Sequence, residues 1–145
     1  MQTKRLFFLP VIVLALIALP ACEKDKDEIP ADTVTISGLT CSSAAFSGTA
    51  TAGVTYNGVF TVPYIGGDGS EYKSDNGSSS IGVTGLSAIL VPGTLAVGAG
   101  MLTYAVSGTP TAGGNASFNI NFGGQSCIVS LPVTSSDNVP VPVPQ

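Results

Sequence analysis

The chain has 145 residues, of which 44% are hydrophobic and 10% are charged, and its formal net charge is −4. Glycine and proline are abundant, whereas histidine and tryptophan are absent. This composition excludes an intrinsically disordered chain, which carries more charge and less Val, Ile and Phe. It also argues against a nucleic-acid partner, because Lys73 is the only basic residue after Lys26 and no basic patch can form. Short strands joined by tight turns suit such a composition.

The first 21 residues have the layout of a secretory signal. A short basic stretch (residues 1–5) precedes an apolar run (residues 6–19) that Pro10 interrupts. A basic start, an apolar stretch of roughly 7–15 residues and a small residue before the cut define such a signal. A membrane-spanning helix is the alternative, but it needs about 20 apolar residues. We therefore predict a signal peptide over residues 1–21.

The end of this segment, LPAC, resembles a bacterial lipobox. In that motif an aliphatic residue and two small residues precede a cysteine that is lipidated and becomes the first residue of the mature protein. Leu19, Ala21 and Cys22 match, and Pro20 departs from the usual Ala, Ser or Thr. The resemblance implies palmitate-type acyl chains on Cys22 that hold the protein to a membrane. An ordinary signal peptide with an incidental cysteine is the alternative.

Residues 22–32 are dominated by charge, with the run EKDKDE directly after the cysteine. Such a segment buries no apolar area, so we predict a flexible tether. It also resembles a surface-export signal of one phylum of Gram-negative bacteria, in which a lysine and acidic residues follow the lipidated cysteine. The resemblance implies an outer-membrane lipoprotein exposed on the cell surface. The alternatives are a plain spacer and a protein on the periplasmic face.

The sequence from residue 33 to residue 133 falls into short runs rich in Val, Ile, Thr, Phe and Tyr. The runs are residues 33–37, 44–51, 56–64, 81–83, 87–91, 101–107, 115–122 and 126–133. Turn residues separate them every 8–12 residues or so, which is typical of an antiparallel β-sandwich. We predict about seven strands, with a core that includes Phe46, Phe60, Phe118 and Phe122.

The last two runs predict a hairpin. Ala116, Phe118, Ile120 and Phe122 fall on one face of their strand, and polar residues fall on the other. This period of two is typical of a half-buried antiparallel strand. The residues at 123–125 (GGQ) then suit a short hairpin loop.

A stretch near the end of this body carries a family resemblance. Residues 106–118 read VSGTPTAGGNASF, which resembles a signature of immunoglobulin-like repeats in large bacterial surface proteins. Residues 56–133 resemble a recurrent module of surface proteins from the same phylum. The resemblance implies an immunoglobulin-like sandwich at the cell surface, in which the Gly-Thr-Pro turn joins two strands and Pro110 presets its backbone. It supplies no catalytic residues and no ligand.

The three cysteines have two predicted roles, lipidation for one and a disulfide for the other two. If Cys22 takes lipid, Cys41 and Cys127 remain, and an even remainder in an oxidising compartment predicts a disulfide. Two buried free thiols are the alternative. A catalytic thiol usually needs a neighbouring base, and the chain has no histidine.

The body has few groups for chemistry. Asp68, Glu71 and Asp75 lie in one loop, where clustered carboxylates bind calcium in some proteins. The spacing matches no EF-hand, so a solvated loop is the simpler interpretation and we predict no metal. Paired carboxylates also serve glycoside hydrolysis, but a small domain without Trp offers little of a cleft. We predict no enzyme and no cofactor.

Two further groups of residues bear on sugars. The tyrosines could stack on a glycan if they were exposed on one face, and the alternative is that they belong to the core; they are Tyr56, Tyr64, Tyr72 and Tyr104. Thr33 lies in a short Asp-Thr-Val stretch that resembles an O-glycosylation acceptor of the same phylum.

Residues 134–145, rich in Val and Pro, predict a flexible tail.

Two hypotheses for the function follow. The first is a non-enzymatic outer-membrane lipoprotein, anchored through Cys22, whose immunoglobulin-like module makes structural or adhesive contacts with a surface protein. The second is a small glycan-binding lipoprotein of a polysaccharide-uptake system.

Overall fold

The computed structural model describes residues 34–136. The predicted signal peptide, lipid site at Cys22, tether and acceptor Thr33 lie outside the described residues, as does the tail from residue 137. Within residues 34–136 the chain is all-β, with twelve strands and one 3-10 turn. No helix in this part is long and apolar enough to cross a membrane.

The elements follow one another along the chain as short and long strands. They are β1 (Gly38–Leu39), the 3-10 turn (Cys41–Ser43), β2 (Ala45–Phe46), β3 (Ala50–Thr51), β4 (Tyr56–Gly67), β5 (Glu71–Tyr72), β6 (Ser78–Ser79), β7 (Ile81–Gly82), β8 (Leu86–Leu90), β9 (Gly93–Thr94), β10 (Gly98–Gly108), β11 (Gly114–Phe122) and β12 (Gln125–Thr134). The long strands are β4, β10, β11 and β12, and they carry most of both sheets.

These strands form two sheets and a small ribbon. The six-stranded sheet has the order β1-β4-β10-β8-β6. β2 also pairs with β4, on the same edge as β1, and all pairs in this sheet are antiparallel. The four-stranded sheet has the order β3-β12-β11-β7, and only its β3–β12 pair is parallel. The ribbon is the antiparallel pair of β5 and β9.

The inner faces of the two sheets meet in one hydrophobic core. Phe60 of β4 and Phe118 of β11 are both fully buried, and their ring centroids lie 5.9 Å apart. Phe46 and Phe122, also predicted for the core, are partly buried and pack against it. Two facing antiparallel sheets around one core are consistent with the predicted β-sandwich.

The predicted hairpin is confirmed as β11 and β12. Phe122 pairs with Gln125, so the loop is Gly123-Gly124 alone, one residue shorter than the sequence suggested. Gly123 has φ +57° and Gly124 has φ +79°. Positive φ at both loop residues is typical of a type I′ turn, whose twist matches that of the strands. The predicted alternation in β11 is also observed, because its even-numbered residues from 116 to 120 are buried.

The predicted first strand, residues 33–37, is wrong in its described part. The N–H of Ile36 donates to the carbonyl of Gly123 in the hairpin loop of the four-stranded sheet (3.2 Å), whereas the N–H of Ser37 donates to the carbonyl of Ile65 in the six-stranded sheet (2.8 Å). The segment therefore bridges the two sheets instead of pairing along one. Its alternation is real, since Ile36 is buried, but the ladder begins only at Gly38.

Residues 44–51, predicted as a single strand, form two short ones in different sheets. β2 pairs with β4 in the six-stranded sheet, and β3 pairs with β12 in the four-stranded sheet. The same crossing occurs at Ser80, between β6 and β7, where the buried hydroxyl accepts a hydrogen bond from the N–H of Leu86 (3.2 Å). The structure has twelve strands, whereas about seven were predicted. The difference reflects short strands, because seven of the twelve have only two residues.

Pro63 lies in β4 at a position where a missing N–H costs little. β4 continues past Pro63 to Gly67. The carbonyl of Pro63 accepts a hydrogen bond from Thr40 (2.9 Å), so its ring nitrogen faces that short edge and not β10. Pro110 is fully buried in the turn after β10, and its carbonyl accepts from Gly53 (2.8 Å). The Gly-Thr-Pro segment thus joins β10 of one sheet to β11 of the other.

Candidate interaction surfaces

The predicted disulfide between Cys41 and Cys127 is present, with the Cα atoms 6.0 Å apart. It links the 3-10 turn, which follows the edge of the six-stranded sheet, to β12 of the four-stranded sheet. The two residues are 86 apart in sequence. In the chain-entropy model, closing a loop of that length contributes roughly 4–5 kcal/mol. Both thiols are thereby assigned a structural role.

Three of the four tyrosines proposed for stacking on a glycan are core residues. Tyr56 is 8% exposed, Tyr64 3% and Tyr104 1%. The ring of Tyr64 lies over Gly100 on the neighbouring strand, and its hydroxyl accepts a hydrogen bond from the N–H of Ala96 (2.7 Å). The condition for a stacking platform, exposure on one face, is not met by these three.

Among these three buried tyrosines, Tyr104 is the one whose hydroxyl has no hydrogen-bond partner in the described residues. Its ring stacks on Phe60 with centroids 5.0 Å apart. Burial raises the pKa of Tyr104 far above its ordinary value, and the nearby charges of Asp75 and Tyr72 add to that effect. The side chain is held neutral and contributes packing.

Tyr72, in the β5–β9 ribbon, is half-buried. Its ring meets Phe122 edge-on, with centroids 5.3 Å apart. Partial burial, and secondarily the neighbouring Tyr64, raises the pKa of Tyr72. Tyr72 is therefore the only tyrosine of the four that combines partial exposure with a second aromatic ring beside it.

The carboxylates of Asp68 and Asp75 accept hydrogen bonds from the backbone of their own loop and of β8. Asp68 accepts hydrogen bonds from the hydroxyl and the N–H of Ser70, and these contacts lower the pKa of Asp68. Asp75 accepts from the N–H of Gly77 and from that of Leu90, at 3.0 Å each. Within residues 34–136 no group of three His, Cys, Asp or Glu side chains is placed to hold a metal ion.

The outer face of the six-stranded sheet carries two rows of apolar side chains. Its central row joins Val59, Ala105 and Ile89, which lie opposite one another on β4, β10 and β8. A second row pairs Pro63 with Met101. The larger side chains are well exposed: Val59 39%, Ile89 44%, Ile65 56% and Met101 61%. We call the surface of Val59, Pro63, Ile65, Ile89, Met101 and Ala105 the apolar face.

No charged side chain lies in these rows. The charged residues between 34 and 136 are Asp68, Glu71, Lys73 and Asp75, all in one loop region. Thr61 and Thr103 lie opposite each other between the two apolar rows, and Asn57, Ser107 and Ser87 form a polar row on the other side of the central row. The apolar face is thus exposed and carries no charged side chain.

The outer face of the four-stranded sheet is polar by contrast. β11 presents Asn115, Asn119 and Asn121 as exposed residues. Ser117 and Ser130 lie opposite each other, and their hydroxyls are hydrogen-bonded at 3.0 Å. Ile81 (57% exposed) and Ile128 (60% exposed) are the large apolar side chains among them. We call this surface the polar face.

A shallow concavity lies at the tip of the β11–β12 hairpin. Its volume is about 430 Å³, and it is lined by Asn121, Phe122, Gly123, Gly124, Gln125 and Ser126. Sequence reasoning identified the hairpin but not this site. The one signal that could have indicated it is the sequence NFGGQS itself, in which amide and hydroxyl side chains flank an aromatic ring and a glycine turn.

Comparisons with known proteins do not assign the chain to a family. Protein-family models, curated proteins and solved structures all gave no match to this chain. The class defined by the structure is that of a disulfide-bonded, all-β protein with two facing sheets. Its function has to be argued from the surfaces just described.

Proposed function

We propose that the chain is a non-enzymatic lipoprotein of the outer membrane that displays an immunoglobulin-like module for adhesive contacts with another surface protein. The observation that carries this proposal is the apolar face. Four large apolar side chains, each 39% to 61% exposed, lie on one face of the six-stranded sheet. The packing of the core does not require them there.

The chemistry of the apolar face favours a protein partner. Covering exposed apolar area contributes about 25 cal/mol per Å², and no charge in the rows has to be desolvated. Small-molecule sites are concave, whereas this face is formed by the side chains of pleated strands. An extended protein surface with its own apolar patch fits that shape, and Thr61 and Thr103 supply hydroxyls for hydrogen bonds across the contact.

The proposed location at the cell surface is supported by the sequence of the first 32 residues and by the disulfide. The signal, the lipobox-like cysteine and the charged tether imply export and a lipid anchor. The bond between Cys41 and Cys127 supports an oxidising compartment, because disulfides persist outside the cytosol and are rare within it. The immunoglobulin-like assignment is supported by the two facing antiparallel sheets.

The experiment compares cells that display the native chain with cells that display variants. Cys22→Ser is expected to release the protein from the membrane fraction or to stall its processing. Ile89→Lys and Met101→Lys, on the apolar face, are expected to abolish adhesion to a surface-protein coat, while proteinase treatment of intact cells still digests the displayed chain. Ile128→Lys, on the polar face, is the matched control and should adhere like the native chain.

The glycan alternative has lost its original basis. It depended on a row of exposed tyrosines, and Tyr56, Tyr64 and Tyr104 are buried. If the adhesion assay were unaffected by Ile89→Lys, the adhesive proposal would fail, whatever sugars the chain binds elsewhere.

A further inference from the structure

Met101 and Ala105 give the apolar face a high point and a low point on one strand. Both belong to β10, which lies between β4 and β8. Met101 is 61% exposed, the most of the large side chains on that face. Ala105 has a single side-chain carbon and lies between the larger Val59 of β4 and Ile89 of β8. It therefore forms the bottom of a shallow hollow whose walls are Val59 and Ile89.

The high point and the low point are symmetric about Thr103. Met101 comes two residues before Thr103 and Ala105 two residues after it, about 7 Å away on either side along the strand. All three side chains point outward, because successive residues of a strand alternate between faces and Leu102 and Tyr104 are buried. A two-fold axis that crosses the strands at Thr103 therefore exchanges the positions of Met101 and Ala105.

We infer that the apolar face pairs with the same face of a second copy of this chain. When β10 of one copy lies antiparallel over β10 of the other, Met101 of each copy enters the hollow at Ala105 of the other copy. Facing sheets pack in this aligned way, with their strand directions within about 30° of each other. The contact is isologous, since position 101 meets position 105 and position 105 meets position 101.

Other residues of the face fit the same arrangement. Pro63 lies opposite Met101 and Val59 lies opposite Ala105, so Pro63 of one copy meets Val59 of the other. Thr103 meets its own counterpart at the axis. A hydroxyl both donates and accepts a hydrogen bond, which allows two identical side chains to bond to each other.

The distribution of charge favours an identical partner in this antiparallel placement. No charged side chain lies in the rows, so two copies bring no like charges together across the contact. β4 ends at Gly67, opposite the first residue of β10, and the acidic segment of residues 68–75 follows directly. The antiparallel placement puts the two acidic segments at opposite ends of the pair, whereas a parallel placement would put them side by side.

The size of the contact predicts reversible pairing. The rows cover three strands about 4.8 Å apart and a length of about 20 Å along β10, which gives on the order of 300 Å² of sheet per copy. Stable interfaces bury roughly 1,200–2,000 Å² in total, so this pair belongs with the weak, transient contacts. The inference rests on the proposed adhesive function, because it names the partner of the apolar face.

The test uses the full chain in lipid nanodiscs, so that no free detergent covers the apolar face. Sedimentation velocity reports whether two discs associate through their proteins. The native chain is expected to pair with a Kd between about 1 μM and 1 mM, as befits a weak contact. Met101→Lys and Ala105→Glu, each alone, are expected to raise Kd at least about tenfold, because each places an unpaired charge in an apolar contact.

Mixing the two variants tests the partner and the register together. In a mixed pair the new lysine meets the new glutamate, and the native Met101 meets the native Ala105 at the other end. Only the Met101→Lys chain carries a fluorophore, and its pairing is expected to return to within about threefold of the native Kd. Met101→Lys mixed with Ile128→Glu is the matched control. Ile128 lies on the polar face, so this mixture should not restore the pairing.

Three results would overturn the inference. They are a native chain that stays monomeric up to about 1 mM, single variants that pair like the native chain while their thermal unfolding is unchanged, and a mixture in which the charge pair restores nothing. If the native chain stayed monomeric while Ile89→Lys still abolished adhesion to a surface-protein coat, the partner would be a different protein and the adhesive proposal would stand. If adhesion were also unaffected, both would fail.

Discussion

The outer faces of the two sheets differ in chemistry, although the inner faces meet in one core. On the six-stranded sheet, β4, β8 and β10 direct Val59, Ile89 and Met101 outward. On the four-stranded sheet, β11 directs asparagines outward at the equivalent alternate positions. Both patterns are compatible with a sandwich, because only the inward residues of each strand enter the core.

The inward residues of both sheets are required by the core, whereas the outward residues are free to differ between the sheets. Solvent-facing positions of an antiparallel sheet are ordinarily polar, and the polar face follows that rule except at Ile81 and Ile128. The apolar face departs from it over several neighbouring strands, and contiguous exposed apolar surface usually marks an interaction site. The departure is therefore the feature that points to function.

The largest effects are expected where the two inner faces touch. Phe60→Ala and Phe118→Ala each remove a fully buried ring, and such changes typically cost about 3–5 kcal/mol of unfolding free energy. The two losses should be similar, because the rings occupy equivalent places on opposite sheets. Urea unfolding of the oxidised protein measures both. A loss below about 1 kcal/mol for either variant, well under the usual cost, would mean that the two sheets do not share one core.

The covalent link between the sheets is the next test. The double variant Cys41→Ala with Cys127→Ala should lose roughly 4 kcal/mol of unfolding free energy, because the open chain gains entropy in the unfolded state. The native protein unfolded in the presence of a reductant should reach the same value, which controls for the loss of the sulfur atoms. If the reduced protein were as stable as the oxidised one, the disulfide would not constrain the unfolded chain.

The hairpin of the four-stranded sheet offers a matched pair of glycines. A Cβ at Gly123 would lie 2.9 Å from the backbone nitrogen of Ile36, whereas one at Gly124 would meet nothing within 4 Å. Both residues have positive φ, which costs a non-glycine residue roughly 1–2 kcal/mol. Gly123→Ala should therefore be more destabilising than Gly124→Ala, as measured by thermal unfolding. Equal melting temperatures would show that Ile36 does not pack against the turn.

The smallest stability effect concerns two tyrosines of the six-stranded sheet. Tyr104→Phe removes a buried hydroxyl that has no partner between residues 34 and 136, so stability should stay constant or rise by up to about 1 kcal/mol. Tyr64→Phe is the control. It removes the acceptor for the N–H of Ala96 and should cost about 1 kcal/mol.

Tyr104 also predicts a dependence on pH. Its pKa is raised in the folded protein, so the folded state retains a proton that the unfolded state loses above pH 10 or so. The stability that this provides is fully present below that pH and declines as the pH rises. Tyr104→Phe should show a shallower alkaline decline than the native chain. Identical pH profiles would contradict the burial of this side chain.

The sequence predicted the regions where local pattern and tertiary structure agree. The alternation of β11 and the glycine pair after it indicated the hairpin, and the parity of the cysteines indicated the bond between Cys41 and Cys127. Each depends on one short-range rule or one count. The chemistry of the apolar face was also present in the sequence, but only the register of β4, β10 and β8 places its residues side by side.

The errors occur where the chain passes from one sheet to the other. Residues 34–37 and 44–51 have strand-like composition, yet their hydrogen bonds are divided between two sheets, and no local pattern reports such a crossing. The hairpin concavity was missed for a similar reason. It lies where the ends of β11 and β12 meet at the Gly123-Gly124 turn, which no sequence motif indicates.

The most direct test of the account is site-specific photo-crosslinking on intact cells. A photoreactive residue would replace Ile89 on the apolar face or, in a second strain, Ile128 on the polar face; both are exposed, at 44% and 60%. We predict that the residue at position 89 forms a covalent adduct with a cell-surface protein and that the residue at position 128 does not. Adducts of equal yield at both positions, or none at position 89, would contradict the claim that the apolar face is the interaction surface.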